Sequence, residues 1–174
     1  MISEKLAKAL NEQVNEEYYS AYVYLAMSAC MEAAGLKGAA NWLFVQAREE
    51  LAHGSNMCQY LLDRGAVATF KAIEAPKAEY GDICEVFCTV AAHEEKVSKL
   101  INTIASLAMQ ENDHACYQFI MWYVNEQVEE EANAQDILSK CKMIGSDKGL
   151  LFNLDIELAK RTFVNPFPNN AKLA

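Results

Sequence analysis

The chain has 174 residues, 15 Lys+Arg against 24 Asp+Glu for a net charge of -9, and 52% apolar residues. That is the size of one domain able to bury a core, and the composition excludes disorder, a collagen-like repeat and a disulfide-stapled miniature. The acidic balance gives no footprint for a nucleic acid and repels an anionic membrane surface, so cations are the charged partners it favours.

The first residues, Met1-Ile2-Ser3-Glu4-Lys5-Leu6, contain no basic region leading into an apolar run. The longest near-apolar stretch, 21–31, is too short to cross a bilayer, and a soluble, cytoplasmic chain is expected. Six cysteines (Cys30, Cys58, Cys84, Cys88, Cys116, Cys141) form no Cys-x-x-Cys pair. Reduced, mostly buried thiols are therefore expected, with neither disulfides nor a zinc ribbon.

Residues 4–33 place Leu6, Leu10, Val14, Ala21 and Leu25 on one helical face, and residues 39–64 do the same with Leu43, Ala47, Met57 and Leu61. A third helix opens at Asp82-x-x-Glu85, a start resembling a capping box, and carries Ile83, Phe87, Val90, Val97, Ile101 and Ile104. The fourth, 114–143, carries Ile120, Tyr123, Ala134 and Ile137, and a shorter helix is predicted over 147–162. Short joints at 34–38 and 111–113 make each pair antiparallel. The 16 residues from 66 to 81 reach about 53 Å at ~3.3 Å per residue, against ~39 Å for the second helix, so they can run the length of a bundle. The predicted fold is an all-α four-helix bundle with one long crossover connection and a short fifth C-terminal helix. One domain is expected over 1–164, with 165–174 as a flexible tail.

Polar groups interrupt every apolar stripe. Glu17 follows Leu10 and Val14, Glu50 and His53 lie between Ala47 and Met57, Glu94 lies between Val90 and Val97, and Gln127 and Glu130 lie between Tyr123 and Ala134. Folding each hairpin about its joint brings Glu17 level with Glu50-x-x-His53, and Glu94 level with Gln127-x-x-Glu130. An offset of 77 relates the halves, mapping Glu17 to Glu94, Glu49 to Glu126, Glu50 to Gln127 and His53 to Glu130. Four carboxylates about 5 Å apart repel by roughly 3 kcal/mol per pair at a dielectric of ~20; six pairs exceed the ~5 to 15 kcal/mol stability of a domain. Shared protons relieve part of this, and two divalent cations match four negative charges. Oxygen donors with one imidazole fit iron or manganese better than thiolate-seeking metals, and magnesium or calcium rarely recruits histidine.

At these residues the chain resembles a known family. Asn11-Glu12-Gln13 ahead of Glu17, the Glu49-Glu50-x-x-His53 block, and Trp122-Tyr123-x-x-Glu126-Gln127-Val128-Glu129-Glu130-Glu131 are similar to the non-haem ferritins of bacterial type, over about residues 3–160. The resemblance implies a ferritin-like fold and a ferroxidase that oxidises ferrous iron with dioxygen or hydrogen peroxide and stores ferric mineral in a hollow 24-subunit shell. It also implies a first iron site at Glu17, Glu50 and His53. A second would lie at Glu94 and Glu130, with Glu50 bridging and Gln127 beside it, and a third at Glu49, Glu126, Glu129 and Glu130. Tyr24 matches the family tyrosine beside the site, in a redox or hydrogen-bonding role or as core packing.

The usual di-iron bundle has two Glu-x-x-His motifs, but the second here reads Gln127-x-x-Glu130. Losing one imidazole is expected to weaken the second metal's hold, so that iron passes through to the mineral. Ala52 stands where a bacterioferritin offers its haem methionine, and no haem is expected. Nucleophilic catalysis lacks support: His53 is already assigned, His93 falls off the stripe and His114 starts the fourth helix. Cys84 and Cys88, one turn apart, read as small core residues, and Trp42 and Phe44 as interface residues. The alternative function is a di-iron peroxidase or oxygenase of the rubrerythrin-like class, although the Cys-x-x-Cys module such chains carry is absent. A metal-free structural bundle is opposed by the intact carboxylate set, and a DNA-protecting mini-ferritin by the acidic charge.

Overall fold

The computed structural model describes residues 1–167. Five α-helices build it: α1 (Glu4–Ala33), α2 (Lys37–Asp63), α3 (Ile83–Gln110), α4 (His114–Ile144) and α5 (Lys148–Leu158). No strand occurs among the described residues, and no helix among them is long and apolar enough to cross a membrane. α5 stops short of the expected 162 because the chain beyond it docks on α2, where Asn41 Nδ2 donates to the carbonyl of Arg161 at 2.9 Å. Within the expected tail, Phe167 packs on Trp122 with ring centroids 4.6 Å apart; residues 168–174 lie outside the described residues.

Four helices begin where the sequence supplies an acceptor. Ser3, Asp82, Asp113 and Asp147 accept from the backbone N–H of Leu6, Glu85, Cys116 and Leu150, satisfying donors that a first turn leaves open. α2 instead has Leu36 at its N-cap position, without a side-chain cap. Its acceptor comes from α5, whose Asp155 Oδ1 takes the Ala39 N–H at 2.9 Å. Gly38 permits that approach, since a Cβ there would fall 1.7 Å from the Asp155 carbonyl oxygen.

Gly35 and Asn112 pivot the two hairpins with left-handed φ of 81° and 56°. Leu36 N–H donates to Met31 O and Asp113 N–H to Ala108 O, closing the helix ends as Schellman turns and sending each partner back antiparallel. The crossover is held by α1 through an asparagine ladder. Asn11 donates to Val67 O at 3.1 Å and accepts from Thr69 N at 2.6 Å. One turn on, Asn15 donates to Thr69 O at 2.8 Å and accepts from Lys71 N at 2.7 Å. Two side-chain amides thus pair with alternate peptides as a neighbouring strand would.

The core is two apolar lobes. One gathers Tyr24, Met27, Leu43, Phe87, Val90 and Leu138 near the hairpin pivot of α1 and α2; the other gathers Leu6, Leu10, Met57, Ile101, Ile120 and Tyr123. On all four long helices the chain passes from one lobe to the other through the polar residues singled out above. Trp42 belongs to the core, its ring 5.2 Å from that of Phe87, whereas Phe44 is exposed. All six cysteines are free, but only Cys116 and Cys141 are buried and Cys88 is exposed. The expectation of mostly buried thiols fails because Cys84 and Cys88 each follow a core residue, Ile83 and Phe87, by one position, which turns them about 100° off the stripe.

Candidate metal centre

Between the lobes, Glu17, Glu50, His53, Glu94, Gln127 and Glu130 are all buried, none more than 7% exposed. One ligand atom each from Glu17, Glu50 and His53 lie within 4.8 Å of one another, as do those of Glu50, Glu94 and Glu130. Glu50 belongs to both sets. A third set joins His53, Glu126 and Glu130. It takes in two of the residues expected at a third iron site but neither Glu49 nor Glu129, which is exposed.

Amides and hydroxyls aim hydrogens at the carboxylates. Gln13 Nε2 donates to Glu17 at 2.9 Å, and Gln46 Nε2 donates to Glu50 at 2.9 Å and to Glu130 at 2.6 Å. Gln127 donates to Glu130 and accepts from Ser98 Oγ at 3.0 Å, while the Tyr24 hydroxyl donates to Glu94. His53 Nδ1 faces Glu50 at 3.5 Å. Among the described residues, two buried atoms, His53 Nε2 and Glu94 Oε2, have no hydrogen-bond partner. Such groups are costly unless something such as a cation answers them.

Burial, then the charge of Glu50, raises Glu17 and Glu130 well above the ordinary carboxylate range and Glu94 to about 8. Burial also pushes Glu50 up, but hydrogen bonding and charge from His53 outweigh it and hold Glu50 below its usual value. Glu50 is therefore the carboxylate that ionises most readily and its neighbours are the ones that favour a proton, so protons and cations compete for the same oxygens. Tyr24 stays a neutral phenol, raised by burial and then by Glu94.

Several contributors escape a stripe reading. Gln13 and Gln46 precede Glu17 and Glu50 by one turn, so i, i+4 spacing was the signal available. Ser98 had none. Nor had Arg161, beyond α5, which donates to Gln46 Oε1 at 2.7 Å and pairs with Glu49. His93, placed off the stripe by its spacing, is partly buried. Its ring stands edge-on to Tyr24 at 6.0 Å, and its Nε2 is 2.7 Å from Ser20 Oγ. His114 is exposed at the start of α4.

A four-helix bundle with a long crossover, divided by a belt of buried carboxylates and one histidine, defines the ferritin-like class. Residues 7–144 match the family model for the ferritin-like domain. A bacterial non-heme ferritin of Staphylococcus aureus (strain MRSA252) is 38% identical over 163 residues, 94% of this chain and 98% of its own. An engineered closed form of the Archaeoglobus fulgidus ferritin superposes with a TM-score of 0.92 at 46% identity, covering 94% of this chain and 100% of that one. An open pore ferritin from the same archaeon gives 0.91 at 46%, over 93% and 100% of the two chains. The chain belongs to the ferritin family.

Proposed function

We propose that the protein oxidises ferrous iron at a di-iron centre within each subunit and stores the ferric product in a hollow shell of 24 copies in the cytoplasm. The domain over 1–164 is the working unit. The observation that carries the reading is the sharing of Glu50 between two three-donor sets whose ligand atoms lie within 4.8 Å of one another, with His53 Nε2 and Glu94 Oε2 left unanswered among them. One ferrous substrate ion is held by Glu17, Glu50 and His53, the other by Glu94 and Glu130. Glu50 bridges them, and Gln127 orients Glu130.

Each ferrous ion gives up one electron, and the pair reduces dioxygen to hydrogen peroxide, or hydrogen peroxide to water, with two protons taken up. Carboxylates stabilise the higher charge of the ferric product, and holding two ions together supplies both electrons to one oxidant. Tyr24 fixes Glu94 by its hydroxyl. From the centre, ferric iron passes by a third position drawn from Glu49, Glu126, Glu129 and Glu130 to the mineral.

The test is addition of ferrous iron under air, with size-exclusion chromatography of the product. Oxidation above the uncatalysed rate, lost in Glu50→Ala, and iron travelling with a large assembly are expected. A small, colourless species that oxidises iron no faster than buffer would overturn the reading.

A further inference from the structure

Beyond α5 the chain runs back across α2 and α4 beside the metal centre. Asn41 fixes the carbonyl of Arg161 at 2.9 Å, Phe163 lies under the guanidinium of Arg48 at 4.0 Å, and Phe167 packs on Trp122 at 4.6 Å and on His53 at 6.2 Å. This strap carries one cation to the edge of the belt. The Arg161 guanidinium stacks on Trp42 at 4.2 Å, pairs with Glu49 and donates to Gln46 Oε1 at 2.7 Å. Its charge is also felt by Glu126. The ion pair is sheltered, with side chains 22% and 18% exposed, so water screens it less than a surface pair.

Glu49 and Glu126 are two of the four carboxylates through which the proposed route leaves the centre. Of the two, only Glu126 joins a cation-sized donor set, together with His53 and Glu130. Glu49 joins none of these sets among the described residues, and the Arg161 guanidinium lies on it instead. A planar, doubly donating cation suits a carboxylate and an amide oxygen side by side. We infer that Arg161 is the resident counter-ion of the third cation position: it occupies Glu49 until a divalent cation takes its place, and that cation binds only as Arg161 swings away. The inference rests on the di-iron reading above and adds a gate to it. The backbone anchor at Asn41 confines the motion to the side chain, and the swing lifts the guanidinium off Trp42.

Zinc, which oxidises nothing and does not quench fluorescence by unpaired electrons, is the probe. The wild-type assembly, Arg161→Gln and the double variant Glu49→Gln/Arg161→Gln are titrated by calorimetry, with tryptophan emission followed in parallel. The wild type should bind a third, weaker equivalent after the first two, and emission from Trp42, read in a Trp122→Phe background because Trp122 stands 5.6 Å from His53, should change with that third equivalent. In Arg161→Gln the third zinc should bind about tenfold tighter, because a competing charged hydrogen-bond donor is gone. In the double variant that gain should vanish. An unchanged or weaker third equivalent in Arg161→Gln overturns the inference while two tight equivalents leave the di-iron reading intact. If Arg161→Gln fails to assemble, Trp42 emission in the Trp122→Phe background decides, and a third equivalent that leaves it flat also overturns the gate. Zinc uptake that Glu17→Ala and His53→Ala leave unaltered sinks the di-iron reading itself, and the gate with it.

Discussion

Gln46 on α2 and Glu130 on α4 are joined by a hydrogen bond of 2.6 Å, and the same amide nitrogen serves Glu50 at 2.9 Å. Arg161 holds the amide oxygen at 2.7 Å, so both amide hydrogens point at carboxyl oxygens. Replacing Gln46 with Ala leaves two buried carboxyls short of a donor. The iron-free protein should lose about 1–3 kcal/mol of stability in chemical denaturation, and saturating zinc should recover part of it. A variant as stable as the wild type would show that the carboxyl pair does not lean on Gln46.

The pH dependence of stability has a definite sign. Unfolded glutamates titrate near 4.5, whereas burial and then the charge of Glu50 raise Glu17 and Glu130 far above that and Glu94 to about 8. Between those values the folded chain holds protons that the unfolded chain has released, so stability is full below the unfolded value and is lost as pH rises through about 8. The melting temperature of the iron-free protein should therefore fall between about pH 6 and 9. Divalent metal displaces the same protons, from Glu17, Glu94 and Glu130. Calorimetry in two buffers of different ionisation enthalpy counts them; zero release would mean the carboxylates are already ionised.

On the proposed di-iron reading, the two metals should differ in affinity. One set has an imidazole, His53, whereas Glu94 and Glu130 are joined by no second histidine. Anaerobic calorimetry with ferrous iron should resolve a tighter and a weaker equivalent, with the weaker one exchanging. Two equally tight, non-exchanging ions would contradict a pass-through centre.

Much of this centre was legible because burial of charge is conspicuous in an amphipathic pattern. Glu17, Glu50, His53, Glu94 and Glu130 each replace an apolar residue on a stripe, and the hairpin pivots Gly35 and Asn112 let their heights be compared. What stayed hidden depends on tertiary contact. Gln46 looks like any polar residue on α2 until Arg161, 115 positions away, is seen to hold it. The asparagine ladder from Asn11 and Asn15 to the crossover is similar: a side-chain amide gives no sequence signal of pairing with a distant backbone. His93 misled by its spacing, because Ser20 and Tyr24 of α1 close over a position that α3 alone would leave open.

Tyr24 separates a hydrogen-bonding role from simple packing. Its hydroxyl favours the ionised form of Glu94, so Tyr24→Phe should raise that carboxyl further and make its proton harder to displace. Zinc affinity at the Glu94 and Glu130 set should fall about tenfold near neutral pH, consistent with one lost charge-assisted bond. The deficit should shrink above about pH 9, where deprotonation no longer competes. A loss of affinity equal at every pH would assign Tyr24 to packing alone.

Gly38 links the fifth helix to the gate. Helix propensity favours Ala over Gly by roughly 1 kcal/mol, yet a Cβ at Gly38 would fall 1.7 Å from the Asp155 carbonyl oxygen, a backbone atom that cannot turn aside. Gly38→Ala should therefore destabilise by about 1–3 kcal/mol, through displacement of α5, while Asp155→Ala should cost about 1 kcal/mol by removing the acceptor for Ala39 N–H. Both act where α5 meets the start of α2, away from Glu50 and His53. Arg161 follows α5 by three residues and depends on that docking to reach Glu49. Gly38→Ala should thus leave the first two zinc equivalents unchanged and tighten the third, in the direction of Arg161→Gln. Loss of the first two equivalents would instead tie α5 to the integrity of the whole bundle.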